Sequence, residues 1–509
     1  MPFLKHFVVV ILFTLLPTFL FSQGPGNAIV FPAGIKIHRV NIQFFTNNWY
    51  DTLSLLYTQN SGRDTNVYLK CDITLNGLTI SNCGARFKGN SSYTHPNQKK
   101  SFKLSFDEYV PGQNWDSLEK INLNNQFNDP TFMREKLYLD FCQFYGVEAP
   151  RCQYVALSVN GQQWGFYTVI EEIDKVFLNK KYANKGGNLF KGDPRGDLKW
   201  EGANQTSYYD NYELHTNELA NDWSDLVQFL NKINNTPNAQ FEDTIKNYFN
   251  VYQYVKHYAS TMMYSYLDSY TGSGHNYYLY YNTDTKKFEF IEWDTNGSFG
   301  RHRPQNQPAV IPEEKLHPFW LPTPVGTRPL HEKIMKSPNL KTLYTNELCY
   351  ILTNYFTTSN LNAKIDLLAD SIRSYVYADT RKQFSSQLFE SNQVGYYQIT
   401  PGLKNFVKDR YAYLKDTLKN YGCDITEIEA ISVGNNQFSL YPNPTNDIIS
   451  VIARNEAIFP TTAKVFDLLG NVVFIDTNHL TNRQIDLSNR PNGIYFLHLG
   501  NTVHKIIKL

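Results

Sequence analysis

Apolar and polar positions alternate in short runs between residues 36 and 106: HRVNIQFF, VYLKCDITLNG, GARFKGNSS and KKSFKLSF. A period of two sends successive side chains to opposite faces, so this stretch predicts a β-rich opening. The period then lengthens. Asn128-Asp129-Pro130 offers a cap residue and a first-turn proline, and the spacing predicts a helix over about 130–145, closing near Gly146. YVALSVNG and GFYTVIEEI return to strands, joined at Asn160-Gly161, a dipeptide suited to a two-residue hairpin. From Asp222 the spacing turns helical through DLVQFLNKI, FEDTIKNYF and the long VYQYVKHYASTMMYSYL. A single hairpin, YYLYYNT and KFEFIEWD, interrupts it. Residues 304–330 read as a Pro-rich loop, and helices resume from about Pro329 to Tyr421. After Cys423 the pattern changes again, to some 75 residues of strands and turns that predict a small separate β-sandwich.

The 509 residues suggest about three units at ~150 residues each. Residues 1–22 read as a signal peptide: Lys5 and His6, then an almost wholly apolar run from Phe7 to Phe21, then the polar Ser22 and Gln23. No later segment is long and apolar enough to span a membrane, so the mature chain is expected to be exported, secreted or surface-attached, with no transmembrane span. Lys and Arg total 48 against 47 Asp and Glu, a balance that argues against nucleic acid as a partner. Export permits disulfides among Cys71, Cys83, Cys142, Cys152, Cys349 and Cys423. Cys71 and Cys83 flank a hairpin-like stretch centred on Asn76-Gly77, which makes a cross-strand bridge plausible. Buried thiols with one or two bridges are the simpler expectation. Zinc-like Cys/His spacing is absent.

The informative stretch is residues 267–300. Asp268 follows a long helix, Asn276 opens the hairpin and Asp294 closes it. A hairpin returns the chain to its starting level, so the three converge at its open end. Hard oxygen ligands with few protein contacts suit Mg²⁺ carrying phosphates, and protein kinases assemble the same parts for phosphoryl transfer. Two carboxylates also qualify in principle for a glycosidase. GxSxG, HExxH, EF-hand and P-loop signatures are all absent.

Residues of about 80–420 resemble the CotH family of spore-coat-H-like atypical protein kinases. The resemblance is carried by ARFKGNSS, KKSFKLSF, NLNNQFNDPTFMREKLYLDF, GVEAPRCQYVALSVNGQQWGFYTVIEEIDKVFL, GGNLFKGD, SGHNYYLY and FEFIEWDTNGSFG. It implies an α+β architecture with a two-lobed, protein-kinase-like core: a β-rich N-lobe over 80–175, joined by the β-rich segment 23–79, and a helical C-lobe over 176–425. It also implies transfer of phosphate from ATP, with Mg²⁺ or Mn²⁺, to Ser or Thr hydroxyls of a protein substrate. In these terms Asp268 is the catalytic base, Asn276 a metal ligand and Asp294 the nucleotide–metal ligand. KGNSS at 88–92, with Asn90 at its centre, is the candidate phosphate turn. For the phosphate cation, period-2 geometry favours Lys103, and Lys100, in the family's KKS element, is the rival. Glu135 is the candidate partner of that lysine, although the helix over 130–145 reads as amphipathic with Glu135 on its exposed face. EEID at 171–174 leaves a strand where a kinase hinge would meet adenine, and His275 beside Asn276 reads first as a structural imidazole, with contact to substrate as the alternative. The same fold without phosphotransfer, as a surface, structural or polysaccharide-binding protein, is the alternative.

Residues 434–509, with FSLYPNPTNDIISV, AKVFDLLGNVV, IDLSNRPNGIYFLHL and KIIKL, resemble the C-terminal sorting domain of the type IX (Por) secretion system of Bacteroidota. This implies the type IX machinery as a partner, followed by removal of the tail.

Overall fold

The computed structural model describes residues 29–32, 34–59, 67–302, 313–423, 438–453, 463–467, 472–476, 484–499 and 502–508. The signal peptide expected at 1–22 lies outside them, as do the first part of the Pro-rich loop and most of the DLLG turn. The chain divides at Cys423/Asp424 into two compact units.

The first unit opens with β1 (Ile37–Phe44), α1 (Trp49–Gln59), β2 (Leu69–Leu75), β3 (Leu78–Lys88), the one-turn α2 (Ser91–Thr94), β4 (Ser101–Ser105), β5 (Lys120–Asn124), α3 (Arg134–Tyr145), β6 (Cys152–Val159) and β7 (Gln162–Glu171). The seven strands close into a barrel in the order β1-β2-β3-β4-β5-β7-β6. Parallel pairing of β1 with β6, from Ile37↔Tyr154 to Ile42↔Val159, shuts it. Alternate side chains, among them Ile42, Ile73, Phe87, Phe102, Leu104, Leu123 and Val169, fill the interior. Helix α1 had no counterpart in the strand pattern. It buries only Trp49 and Leu53, and Trp49 stacks on Phe44 with ring centroids 5.0 Å apart.

Cys71 and Cys83 stand opposite each other in the β2–β3 ladder, yet both remain buried thiols. Cys83 Sγ instead donates to the Ile80 carbonyl at 3.3 Å. Cys142 and Cys152 are buried thiols too, and the disulfide joins Cys349 to Cys423.

Helix α3 starts later than its proline suggested. Phe132 takes a left-handed φ of 61°, which breaks helical propagation from Pro130. The Asp129 carboxylate accepts from the backbone N–H of Thr131 (3.0 Å) and of Arg134 (2.9 Å), and it also pairs with the Arg134 guanidinium. The helix does stop at Gly146, in the left-handed region at φ 78°. It is buried nearly all round, so Glu135 is not on a solvent face.

Next come α4 (Lys175–Tyr182), β8 (Leu189–Lys191), β9 (Glu213–Leu214), α5 (Ser224–Asn235), α6 (Phe241–Ile245), α7 (Val251–Met263), β10 (Tyr277–Asn282), β11 (Lys287–Glu292), α8 (Pro329–Lys336), α9 (Pro338–Asn354), α10 (Thr358–Ala378), α11 (Ser386–Ser391) and α12 (Leu403–Lys419). Helix α7 ends before Asp268 rather than at it. Arg410 of α12, fully buried, donates to the Met262 carbonyl (2.6 Å) and the Met263 carbonyl (3.2 Å), and so satisfies the helix end. Ser265 then turns with φ 45°.

In the second unit, β12 (Phe438–Tyr441), β13 (Ile448–Ala453) and β16 (Gln484–Asp486) form one sheet. The other contains β14 (Ala463–Phe466), β15 (Val472–Asp476), β17 (Gly493–Leu499) and β18 (Thr502–Lys508). Ile449, Val451 and Ile485 of the first sheet share a core with Val465, Leu497 and Ile506 of the second. Lys508 is inward-facing and donates to the Arg490 carbonyl at 2.7 Å. Among the described residues, no helix is long and apolar enough to cross a membrane.

Barrel and helices are clamped by buried charge. Lys99 Nζ lies 2.7 Å from the Asp379 carboxylate, just past α10, and donates to the Phe166 carbonyl of β7 at 2.6 Å. The same carboxylate accepts from the Phe166 N–H at 2.9 Å. Removing one partner of a buried pair strands the other charge, at a cost of about 3–5 kcal/mol. Asp379→Ala is therefore expected to destabilise the first unit by about that amount in urea unfolding of the full chain, and a loss below ~1 kcal/mol would contradict the clamp.

Candidate active site

The hairpin β10–β11 pairs antiparallel from Tyr277↔Glu292 to Asn282↔Lys287. Asn276 and Asp294 therefore stand at its open end. Asn276 Nδ2 donates to the Asp268 carbonyl at 2.7 Å, and the Trp293 N–H donates to the Asn276 carbonyl at 3.2 Å. The Tyr266 hydroxyl lies 2.9 Å from both the Trp293 and Asp294 carbonyls. The turn after Asp294 packs so closely on Asp268 that a Cβ on Gly297 would sit 2.8 Å from the Asp268 Cβ. Asn276 and Asp294 both occupy left-handed backbone, φ 61° and 51°, which short polar side chains tolerate best.

Asp268, Asn276, Trp293 and Asp294 line one side of a cleft of about 1550 Å³. Its other side is the barrel, with Lys88, Asn90, Lys103, Asn122 and Glu172, and with Glu135 from α3. Lys100 is not in the cleft. Its ammonium donates to the Tyr93 carbonyl (2.6 Å) and to the His95 carbonyl, and so staples the α2 turn. Lys103 points away from the apolar layer into the cleft, where it pairs with Glu172 at 2.8 Å. The expected lysine–Glu135 pair is thus replaced: Glu172 takes the lysine, and Glu135 accepts from Asn124 Nδ2 at 3.0 Å. In EEID, Glu171 binds Arg151 and Lys180, both within 2.7 Å, and Asp174 caps α4 by accepting from the Val176 and Phe177 N–H groups.

Lys88, within KGNSS but not singled out from sequence, is the barrel-side cation that acts on Glu135 and Asp294. At the end of β3, its Nζ lies 2.8 Å from Asn122 Oδ1 and 5.1 Å from the Trp293 ring centre. Its charge opposes the upward shifts of both Glu135 and Asp294. The signal available was its position, a strand-end lysine directly before Gly-Asn-Ser-Ser.

The acids differ in character. Burial tends to raise the Asp268 pKa, but the hydrogen bond from His275 Nε2 (2.9 Å) and the charges of His302, His275 and Arg301 outweigh it and hold the carboxyl down to about 2. Asp294 is pushed up, first by burial and then by Asp268, against the pull of Lys88 and Arg301. Burial and then Asp294 push Glu135 up to about 8. This crowding of carboxylates is the kind of field that a divalent cation relieves. Among the described residues, no group of three or more His, Cys, Asp or Glu could by itself hold a metal. Asp294 and Asn276 suit a cation that brings phosphate oxygens of its own.

Because the folded-state pKa of Glu135 lies above its ordinary value of 4.5, the folded, ligand-free protein holds a proton that the unfolded chain releases. Stability is then lost as pH rises from about 4.5 to about 8, and the loss levels off beyond. Glu135→Gln is expected to raise the thermal midpoint of the ligand-free protein progressively across that window. Parallel melting profiles of variant and parent would contradict the assignment.

A family described as CotH kinase protein matches residues 85–414, more than half of the chain, and a family described as secretion system C-terminal sorting domain matches residues 439–509. The inner spore coat protein H of Bacillus subtilis is 28% identical over 325 residues, covering 63% of this chain and 83% of that protein. Invasin CotH2 of Rhizopus delemar is 25% identical over 286 residues, or 52% of this chain and 46% of the relative. Invasin CotH3 of the same organism is 24% identical over 287 residues, or 52% and 45%. The chain thus spans less than half the length of these two invasins. Among solved structures, the Helicobacter pylori proinflammatory kinase CtkA aligns over 63% of this chain and 93% of its own, at 8% identity; the TM-score of 0.27 is too low to establish a common fold. The sorting domain indicates export. The chain belongs to the CotH kinase protein family and carries a secretion-system C-terminal sorting domain.

Proposed function

We propose that this is an exported atypical kinase, transferring the γ-phosphoryl group of ATP, with Mg²⁺ or Mn²⁺, to Ser or Thr hydroxyls of a protein substrate. The observation that carries this reading is the gathering of Asp268, Asn276 and Asp294 opposite Lys88 in one cleft of a CotH-family chain. Asn276 and Asp294 hold the divalent cation, which when bound neutralises phosphate charge and orients the transferring group. Lys88 is the phosphate cation in preference to Lys103, because its charge reaches Asp294 and Glu135. Asn90 contributes from the turn that follows Lys88, and the strand exit at Ile173 receives the base through its backbone.

Asp268 faces the acceptor. Held down to about 2, it stays ionised at every working pH. Its main task is to accept a hydrogen bond from the hydroxyl and aim the oxygen at phosphorus, and it takes the proton late. That suits a loose transition state, in which positioning outweighs proton abstraction. The sorting domain delivers the kinase through the type IX secretion machinery to release or attachment at the outer cell surface.

Two variants separate these roles. Asp294→Ala is expected to abolish Mg²⁺-dependent ATP binding in calorimetry; undiminished or metal-independent binding would remove it from the site. Asp268→Asn is expected to bind ATP normally while losing at least about 10²-fold in transfer of labelled phosphate, the usual contribution of a general acid–base group. Near-parental transfer by Asp268→Asn would refute its role.

A further inference from the structure

The loop from Asp294 to Arg301 has a second polar end. After the turn at Thr295–Gly297, the Ser298 hydroxyl donates to the Arg134 carbonyl at 3.3 Å and Phe299 is buried. Gly300 follows at φ 67°, where a Cβ would meet Glu313 and Phe406 at 2.8 Å. The loop is therefore packed up to Arg301, whose half-buried side chain lines the cleft. Asn296 anchors the guanidinium from one side: Nε donates to its backbone carbonyl and Nη2 to its Oδ1, both at 2.7 Å.

What Arg301 lacks among the described residues is an ion-pair partner. Among the described residues its guanidinium hydrogen-bonds only to Asn296 and pairs with no carboxylate. Two lysines of the cleft do: Lys103 with Glu172 (2.8 Å) and Lys191 with Asp193 (2.7 Å). Yet Arg301 is near enough to both Asp268 and Asp294 for its charge to favour their ionised forms. A pinned guanidinium beside the acceptor-facing acid and the cation-holding acid, but bonded to neither, is placed for an anion between them.

Resting on the kinase reading above, we propose that Arg301 is a catalytic residue that donates hydrogen bonds to the γ-phosphoryl oxygens during transfer. In that step the bond from γ-phosphorus to the β–γ bridging oxygen breaks, and its electron pair stays on ADP. The acceptor oxygen bonds to phosphorus, and its proton passes to Asp268 and then to solvent. Arg301 keeps its protons throughout. Its contribution is charge held where the equatorial oxygens are most negative, which a planar, always-protonated guanidinium provides better than an ammonium.

The test compares ground-state and transition-state binding in the full chain. Calorimetry measures Mg-ADP alone and Mg-ADP with aluminium fluoride, a planar phosphoryl mimic, for the parent, Arg301→Ala and Arg301→Lys. Arg301→Ala is expected to keep Mg-ADP affinity within about threefold and to lose on the order of 10²-fold for the fluoride complex, with transfer falling by a similar factor. Added guanidinium ion should restore part of that transfer, which a merely structural role would not allow. Arg301→Lys, which keeps the charge but not the fork, should show a smaller loss of the same kind. It carries the comparison if the alanine variant shows no cooperative unfolding. Fluoride-complex affinity within about threefold of the parent in the folded variants, or equal losses for ADP and the fluoride complex, overturns the proposal. A parent protein that binds no Mg-nucleotide overturns the kinase reading itself, a result distinct from an active parent with an active Arg301 variant.

Discussion

The register of β10 on β11 is the constraint on which the cleft depends. Six residue pairs, closing at Tyr277↔Glu292, bring Asn276 and Asp294 to the same end, and the Asn276 amide then takes hold of the Asp268 carbonyl. A slip of one residue would reverse the face of every side chain on the slipped strand and carry Asp294 away from its partners. The Tyr266 hydroxyl and the close approach of Gly297 to Asp268 fasten the preceding and following loops to that end. Three polar groups from separate stretches of chain thus share one place, because the backbone ladder of the hairpin and the Asn276 amide put them there.

Around that centre charge is distributed unevenly. The helical side brings carboxylates close enough together to disturb one another, and the barrel side answers with Lys88 and a web of Asn122, Lys103 and Glu172. Such a balance requires the two sides to keep their spacing. The Lys99–Asp379 pair serves that end, as does Arg134, which reaches from α3 to Asn392 Oδ1 (3.2 Å) and the Pro401 carbonyl. Buried charges of this kind satisfy one another only in the assembled geometry, so they favour one arrangement of barrel and helices over looser ones.

Much of this was legible from local pattern. Period-2 runs found six of the seven barrel strands, missing β5 and the closure that the seven make. Asn160-Gly161 marked a real hairpin, and the positions around the second hairpin foretold the meeting of Asp268, Asn276 and Asp294. What local pattern could not supply was anything decided by distant partners. Barrel closure pairs Ile37 with Tyr154, and nothing near either residue announces it. The choice among lysines turned on where Glu172 and the Tyr93 and His95 carbonyls lie, contacts made only once the chain is folded. Glu135 looked exposed because α3 reads as amphipathic, yet it is packed on nearly every side. Helix ends were misplaced where a single left-handed residue, Phe132 or Ser265, reset the backbone.

The Cys349–Cys423 bond has a mechanical consequence. It ties α9 to the residue at which the first unit ends, just past α12. Helices fray from free ends, where carbonyls lack partners. Here the chain just past the last turn of α12 is bolted to a neighbouring helix, and α12 also supplies Arg410, the residue that finishes α7 ahead of Asp268. A pull or a cut on the chain beyond Cys423 therefore meets a covalent stop before it can peel α12 away. The loop that carries Asp268 is shielded from whatever happens to the tail.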